Sequence, residues 1–518
     1  DVEADMIMRD ATINDYILPL DYISGYLAYK QGQLIINYIA DKYGEEKISE
    51  LLFKAKSMLS MGKSMKKTLG LSYEEFDEDF AKYCRRLYWN ELSKRKEAEE
   101  LAKRLSDHEK DGSYFNEKPV FAPTGDKLAI FTDKAGYTEI VIISTVDGEV
   151  LDELVKSSRS ADLESLHSYV SGMSFSPDGK KLVFIGKSQG EDALWIYNVR
   201  EKETIAKHKF GFASIVNPSW GGADSNQIVF TGLKNSQNDL YLFNVETEEL
   251  TQLTDDFYDD NEASISPDGR YIAFASDRPK VATGDVSNTS SRFEYGTYNI
   301  YRLDLETGEI LAITEGEDQK HSPTWSPDGQ KLAFVGDYNG IQNLYVKDLQ
   351  KGDLFPVTDI LTNVKSPSWS PKGDKIAFSS FNNRGYDIFL LTKIRPVADS
   401  PYDLEQTAYY KGEMVAPIEF AMTHSVPSED TVETADSVEA TDSTGAEFDI
   451  EDDQEEYGDY VFKSGTSDRM PIPVDSSDAF DVDSARTARD SLYGLNDDGS
   501  YEVKDYKTKF TPDLVTGG

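Results

Sequence analysis

The sequence has one cysteine, Cys84, and five histidines in 518 residues. A lone thiol excludes an intrachain disulfide, so cysteine usage says nothing about redox compartment. Cys84 lies in an apolar helical pattern and is expected to fill core space. No run approaches the roughly 18 apolar residues that a membrane-spanning helix requires. Basic residues are short relative to acidic ones, 54 against 94, which gives a net charge of -40 and a pI near 4.5. Phosphate backbones are held by clustered Lys and Arg, so nucleic acid is excluded as a partner. The same excess disfavours adsorption to an anionic membrane; it suits solubility, a basic partner or divalent cations.

Catalytic constellations are also missing. His108-Glu109 begins a zinc-type pair, but Gly112 stands where the second histidine belongs. His167, His208, His321 and His424 are scattered. Gly186-Lys-Ser-Gln-Gly190 has the letters of a nucleophile elbow, yet the strand Leu194–Tyr197 follows where a helix is needed. It reads as a hairpin turn. Gly62-Lys63-Ser64 echoes a phosphate loop, but Ser57 replaces its first glycine. The acidic tract Glu447–Asp459 lacks the glycine and ligand spacing of a calcium loop. No catalytic residue, metal ligand or cofactor is therefore assigned.

What the sequence does have is a repeat. Six copies of an aromatic or Ile, a small residue, Pro, a turn residue and Gly lead into a short apolar strand. They begin at Phe121, Phe175, Trp220 (a degenerate copy), Ile265, Trp325 and Trp369, with spacings of 54, 45, 45, 60 and 44. Pro fixes φ at the turn and Gly takes the left-handed corner, so each turn joins two antiparallel strands. The equivalent strands are Leu128–Phe131, Leu182–Ile185, Ile228–Phe230, Ile272–Phe274, Leu332–Val335 and Ile376–Phe378. A third strand alternates polar and aromatic residues, as in Leu194–Tyr197, and a fourth follows. Four strands in about 45 residues make a propeller blade. The longest spacing contains a polar insertion, Lys280–Thr297, placed on a rim.

Repeats of the type Ser-Pro-Asp-Gly-Lys-Lys-Leu-Val-Phe resemble those of TolB-like propellers (WD40-like PD40 repeats). The resemblance spans about Ser113–Arg395 and implies a mainly β protein with a six-bladed β-propeller. It also implies a non-catalytic scaffold that binds a protein or peptide partner in the bacterial cell envelope, in the periplasm or at the outer membrane.

Residues 1–106 read as an α-helical domain. Tyr26, Leu27, Leu34, Ile35, Tyr38 and Ile39 follow a helical period, with Gly44 at the C-terminal cap. A second helix covers Glu46–Met58. Ser72-Tyr-Glu-Glu75 is a capping box opening a long helix, whose face joins Phe76, Phe80, Tyr83, Leu87 and Leu92. The helix is expected to run on as a charged spacer over Ser93–Leu105. Ala28–Gln33, Tyr43–Ile48 and Leu69–Phe76 resemble the C-terminal helices of peptidase-MA-like gluzincins. In that family the zinc motif lies upstream, so the chain reads as a piece of a longer protein. An alternative role follows, the substrate-filtering part of a metallopeptidase. A glycan-binding surface propeller is a third reading, which exposed aromatics on one rim would support.

After Arg395 the character changes. Residues 412–462 contain 16 acidic residues and no Lys or Arg, and 396–500 read as an acidic, largely disordered linker. Tyr501–Val515 resembles the lead-in to an outer-membrane barrel. Residues 501–518 would then lead into a missing C-terminal domain, through which the protein would associate with the outer membrane.

The candidate site is the mouth of the propeller channel. Four residues before each leading position stand Glu117, Ser171, Val216, Asn261, His321 and Lys365. Two residues before it stand Pro119, Met173, Pro218, Ala263, Pro323 and Pro367, which supports the alignment. Glu117, Ser171, Asn261, His321 and Lys365 are the expected polar contacts of a docking peptide.

Overall fold

The computed structural model describes residues 2–156, 162–221, 226–278 and 296–412. The insertion at 280–297 falls almost wholly outside them, as do the acidic tract beyond residue 412 and the lead-in at 501–518. Among the described residues no helix is long and apolar enough to cross a membrane.

Six antiparallel sheets follow one another in a six-bladed propeller. Blade one, for example, is built from Asn116–Phe121, Lys127–Thr132, Glu139–Ser144 and Val150–Lys156. The second strand of each blade contains the apolar run expected from the repeat. Leu128, Leu182, Ile228, Ile272, Leu332 and Ile376 are all fully buried between blades. Each turn is closed as its residues dictate. Gly179 adopts φ 71°, its N–H donates to the Ser176 carbonyl, and the Ser176 hydroxyl accepts from the Lys181 N–H at 2.9 Å.

Blade six is completed from the other end of the chain. Its sheet order places the two-residue strand Lys103–Arg104 outside Gly385–Leu391, Ile376–Asn382 and Lys365–Trp369. Lys103 pairs with Leu390 and Arg104 with Phe389. The Leu105 N–H continues the ladder to the Ile388 carbonyl at 2.7 Å. Gly148 of blade one touches this segment so closely that a Cβ there would lie 1.8 Å from the Leu105 oxygen. Closing the ring with a distant strand removes an exposed sheet edge.

Five helices precede the closure: α1 Val2–Ile13, α2 Gly25–Tyr43, α3 Glu46–Met58, α4 Met61–Thr68 and α5 Tyr73–Tyr88. Gly44 caps α2 at φ 98°, and Ser72 and Glu75 form the reciprocal capping box of α5. Leu34, Tyr38, Phe76, Phe80 and Cys84 share one core. The Cys84 thiol is pushed up to about 12 by burial. The expected spacer helix does not form. The α-helix stops at Tyr88, a 3-10 turn covers Trp89–Ser93, and Leu92 is exposed. The reason is tertiary: Arg95 is buried against Glu91 and Asp359, which turns the chain onto the propeller, and Lys103–Arg104 must extend to pair. Tyr26, expected on the buried face of α2, is also exposed, its hydroxyl 3.1 Å from Glu3.

The helices and the propeller form one compact unit. Helix α1 is the joint. Arg9, with no exposed surface, donates to the Leu361 carbonyl at 2.8 Å and pairs with Asp5 at 2.5 Å. Asp10 accepts from the Asn383 N–H at 3.1 Å. Residues 396–412 fold back over the same face. The Thr407 N–H meets the Asn339 carbonyl at 2.9 Å, and Leu404 is buried in the core of blades four and five.

Candidate ligand-binding site

The inner strands do not run straight to the axis. In blades one, three, four, five and six the pairing register slips by one residue between the fourth and the first positions before the leading residue. This bulge turns the residue three before the leading position into the left-handed region. Lys118, Asn217, Glu262, Ser322 and Ser366 have φ of 53°, 54°, 55°, 54° and 48°. Asparagine visits this region with little cost, so Asn217 fits it, while Lys118, Glu262, Ser322 and Ser366 at the same repeat position hold local strain.

The bulges surround an axial cavity of about 240 Å³ that opens to the surface. Three tiers line it: Lys118, Gly172, Asn217, Glu262, Ser322 and Ser366 above; then the proline-rich series Pro119 to Pro367; then Val120, Ser174, Ser219, Ser264, Thr324 and Ser368. The upper and lower tiers are half-buried and the middle tier buried. The lower serines also tie the ring together. The Ser368 hydroxyl accepts from the Phe121 N–H at 3.2 Å, Ser174 from Trp220 at 3.0 Å and Ser219 from Ile265 at 3.3 Å.

The ring expected from the sequence stands one residue behind the upper tier. Glu117 and Lys365 come within electrostatic reach of each other, and Lys365 lies 3.4 Å from Glu3 of α1. Burial opposes the charge on Lys365, but the Tyr386 hydroxyl, Glu3 and Glu117 hold its ammonium above the usual value. Burial raises Glu117, against the pull of Lys365 and Lys118. The Ser171 hydroxyl accepts from the Asn217 N–H at 2.9 Å, Asn261 donates to Asp259 at 2.9 Å, and His321 meets Gln342 at 3.2 Å. Of the five, Ser171 and His321 touch the upper tier directly, through the Asn217 N–H and the Ser322 hydroxyl. The cavity-lining residues themselves were hidden from an alternation count because the bulge inserts one residue. The proline two before the leading position was the available signal.

Lys118 and Glu262 are the only charged side chains of the upper tier. Burial pushes the Lys118 ammonium down to about 8, while Glu117 and Glu262 pull it back. Glu262 accepts from the Ser322 N–H at 2.5 Å and from its hydroxyl at 3.2 Å. His321 lies 3.2 Å from that hydroxyl and 3.8 Å from Glu262 through the same ring nitrogen. A nucleophilic triad instead sets its base between hydroxyl and carboxylate. The glutamate here already holds the serine, and the other ring nitrogen faces Gln342.

Two exposed tyrosines stand near Glu117, behind the cavity lining. Tyr169 is 75% exposed and Tyr114 57% exposed, and Tyr169 packs 5.4 Å from Phe115 and within reach of Glu117. Among the described residues, no group of three or more His, Cys, Asp or Glu is placed to hold a metal ion. His108 is spent on structure, its ring 2.6 Å from Asp387.

Residues 163–290 and 285–393 match the TolB beta propeller domain (PD40). The propeller is of the TolB type. TolB from Acinetobacter baumannii is 20% identical over 54% of this chain and 64% of its own length, with a TM-score of 0.36. The match therefore spans less than two thirds of that protein. Oligogalacturonate lyase from Vibrio parahaemolyticus is 13% identical over 55% of this chain and 92% of its own, with a TM-score of 0.37. Hydrazine synthase from Kuenenia stuttgartiensis is 16% identical over 52% and 73%, with a TM-score of 0.34. These likenesses concern the fold. No curated protein matches the chain, and the TolB-type match begins at residue 163, well after the helices.

Proposed function

We propose that this chain is a non-catalytic scaffold of the bacterial cell envelope that binds a protein or peptide partner at the axial mouth of its TolB-type propeller. One observation carries the reading. A small open cavity gathers two opposed charges and several hydroxyls, and exposed tyrosines stand near Glu117 behind its lining. Convergent polar groups in a concavity give orientation, and exposed tyrosines give contact area at low entropic cost. Glu3 of α1 meets Lys365 at 3.4 Å, which sets the helical domain against the ring behind the mouth. Glu117, Ser171, Asn261, His321 and Lys365 would act by holding the lining residues in place.

A random peptide library screened against the full chain by fluorescence anisotropy tests this. Binders should be recovered, and His321→Ala combined with Lys365→Ala should weaken them at least tenfold at a temperature where circular dichroism shows both forms fully folded. Equal binding by both forms would place the contact elsewhere.

A second reading, a glycan-binding propeller, is favoured by Tyr114 and Tyr169, since exposed rings stack on sugars. A glycan array separates the two. Binding there that Tyr169→Ala abolishes, with no peptide recovered, would favour the sugar.

A further inference from the structure

Resting on the reading of the mouth as a peptide site, we propose that the axial cavity takes a short zwitterionic ligand, an amino acid or a di- or tripeptide with both ends free. Its carboxylate lies on Lys118 and its ammonium on Glu262.

The first argument is placement. Lys118 belongs to blade one and Glu262 to blade four, at the same repeat position. Three blades apart in a ring of six, they face each other across the axis. The other four positions of that tier, Gly172, Asn217, Ser322 and Ser366, are uncharged. That tier therefore presents one positive and one negative pole with a neutral belt between them, and Glu117, His321 and Lys365 stand one residue behind it.

The second argument is what these poles lack. Lys118 feels Glu117 first and Glu262 second, yet no ion pair within 4 Å joins it to either. The Lys118 N–H donates to Ser379, but its ammonium makes no hydrogen bond among the described residues. Glu262 commits Oε2 to Ser322, with His321 3.8 Å away, and no hydrogen bond among the described residues engages its Oε1. Two half-buried charges held apart in this way each keep a desolvation cost that their mutual attraction does not cancel. A simple anion would satisfy Lys118 and repel Glu262. A simple cation would do the reverse. A ligand carrying both charges satisfies both poles at once.

The third argument is size and wall chemistry. At about 240 Å³ the cavity lies below the range of drug-sized pockets. Pro119, Pro218, Pro323 and Pro367 give rigid apolar walls without N–H groups. Below them, the hydroxyls of Ser219 and Ser368 accept from neighbouring strands, so their protons remain to donate to a ligand carbonyl. A chain of net charge -40 attracts cations everywhere on its surface. A matched pair of opposite charges at the axis instead selects a neutral dipole.

Isothermal titration of the full chain with trialanine, and with trialanine acetylated and amidated at its ends, tests the proposal. The free peptide should bind at least tenfold tighter than the capped one. Lys118→Met and Glu262→Gln should each erase that preference. The exchanged pair, Lys118→Glu with Glu262→Lys, should restore it with the ligand reversed, which a merely structural role of either residue would not do. Equal binding of free and capped peptides, with library peptides still binding the mouth, would overturn the zwitterion and leave the peptide site standing. If neither trialanine nor any library peptide binds, both fall.

Discussion

The Asp387 carboxylate, fully buried in the third strand of blade six, lies 2.6 Å from the His108 ring at the end of the closing segment. The same carboxylate accepts from Arg104 at 2.6 Å, from the Ser106 hydroxyl at 2.8 Å and from the His108 N–H at 3.0 Å. One acidic group thus fastens the segment that closes the ring. A short strand of two residues would not hold on ladder bonds alone, and charge-assisted bonds to a buried carboxylate supply the difference.

That cluster sets a pH dependence. Despite burial, His108 and Arg104 hold Asp387 below its usual value. Its stabilisation is present above the unfolded carboxylate value, near 3.9, and is lost as pH falls through the lower folded value. The hydrogen bond to Asp387 raises His108 above 6.5, against burial. The histidine's contribution is complete below 6.5 and fades as pH rises through its raised value. The melting temperature should therefore fall between pH 6 and 9, and His108→Gln should flatten that alkaline limb. An unchanged slope in the variant would show that another group governs the fall.

Arg9 offers a test of the joint between helices and propeller. It has no exposed surface and bridges Asp5 to the Leu361 carbonyl. Arg9→Met leaves Asp5 buried and partly unpaired, which costs about 3–5 kcal/mol. Arg9→Met combined with Asp5→Leu removes both charges and should recover much of that loss. Urea denaturation of the three forms decides the matter. A double variant as unstable as the single one would mean that the lost bond to Leu361 dominates.

These contacts show where sequence reasoning succeeds and stops. The Pro-Asp-Gly turns and apolar second strands are local, so a reader of Phe175–Phe184 can place a whole hairpin. Ser72 and Gly44 announce helix ends for the same reason. Lys103–Arg104 gives no such sign. Two basic residues after a charged run look like helix, and their partners stand almost 290 positions away, at Phe389 and Leu390. The mouth fails differently. Glu117 and Lys365 were legible as a polar ring, but the bulge shifts the lining to Lys118 and Ser366, and no alternation count reveals an extra residue. Tyr169 sits in an unpatterned loop, so its exposure near Glu117 waits on the fold.

The serine ties can be weighed one at a time. Ser368→Ala removes the acceptor for the Phe121 N–H between blades six and one. The cost should be about 1 kcal/mol, typical of one hydrogen bond, with some relief from water in the open cavity. Ser219→Ala should cost as much between blades three and four. Guanidinium unfolding of each variant measures it. A loss several times larger would mean that the ring opens cooperatively at a single tie.

The left-handed tier permits the sharpest separation of stability from binding. Lys118 and Ser366 both sit near φ 50°, where an L-residue pays roughly 1–2 kcal/mol. Glycine removes that strain but returns about 0.4–1 kcal/mol to the unfolded chain as entropy. Ser366→Gly and Lys118→Gly should therefore be neutral or stabilising by up to about 1 kcal/mol, so neither should lower the melting temperature. Neither side chain makes a hydrogen bond that the change would remove among the described residues, since Lys118 donates to Ser379 through its backbone. Their effects on trialanine should differ. Ser366→Gly should leave the affinity within twofold, while Lys118→Gly should weaken it at least tenfold. A side chain kept at a strained position against its own stability is accounted for by what it binds. A lower melting temperature for Lys118→Gly, with affinity unchanged, would instead assign the lysine to the fold.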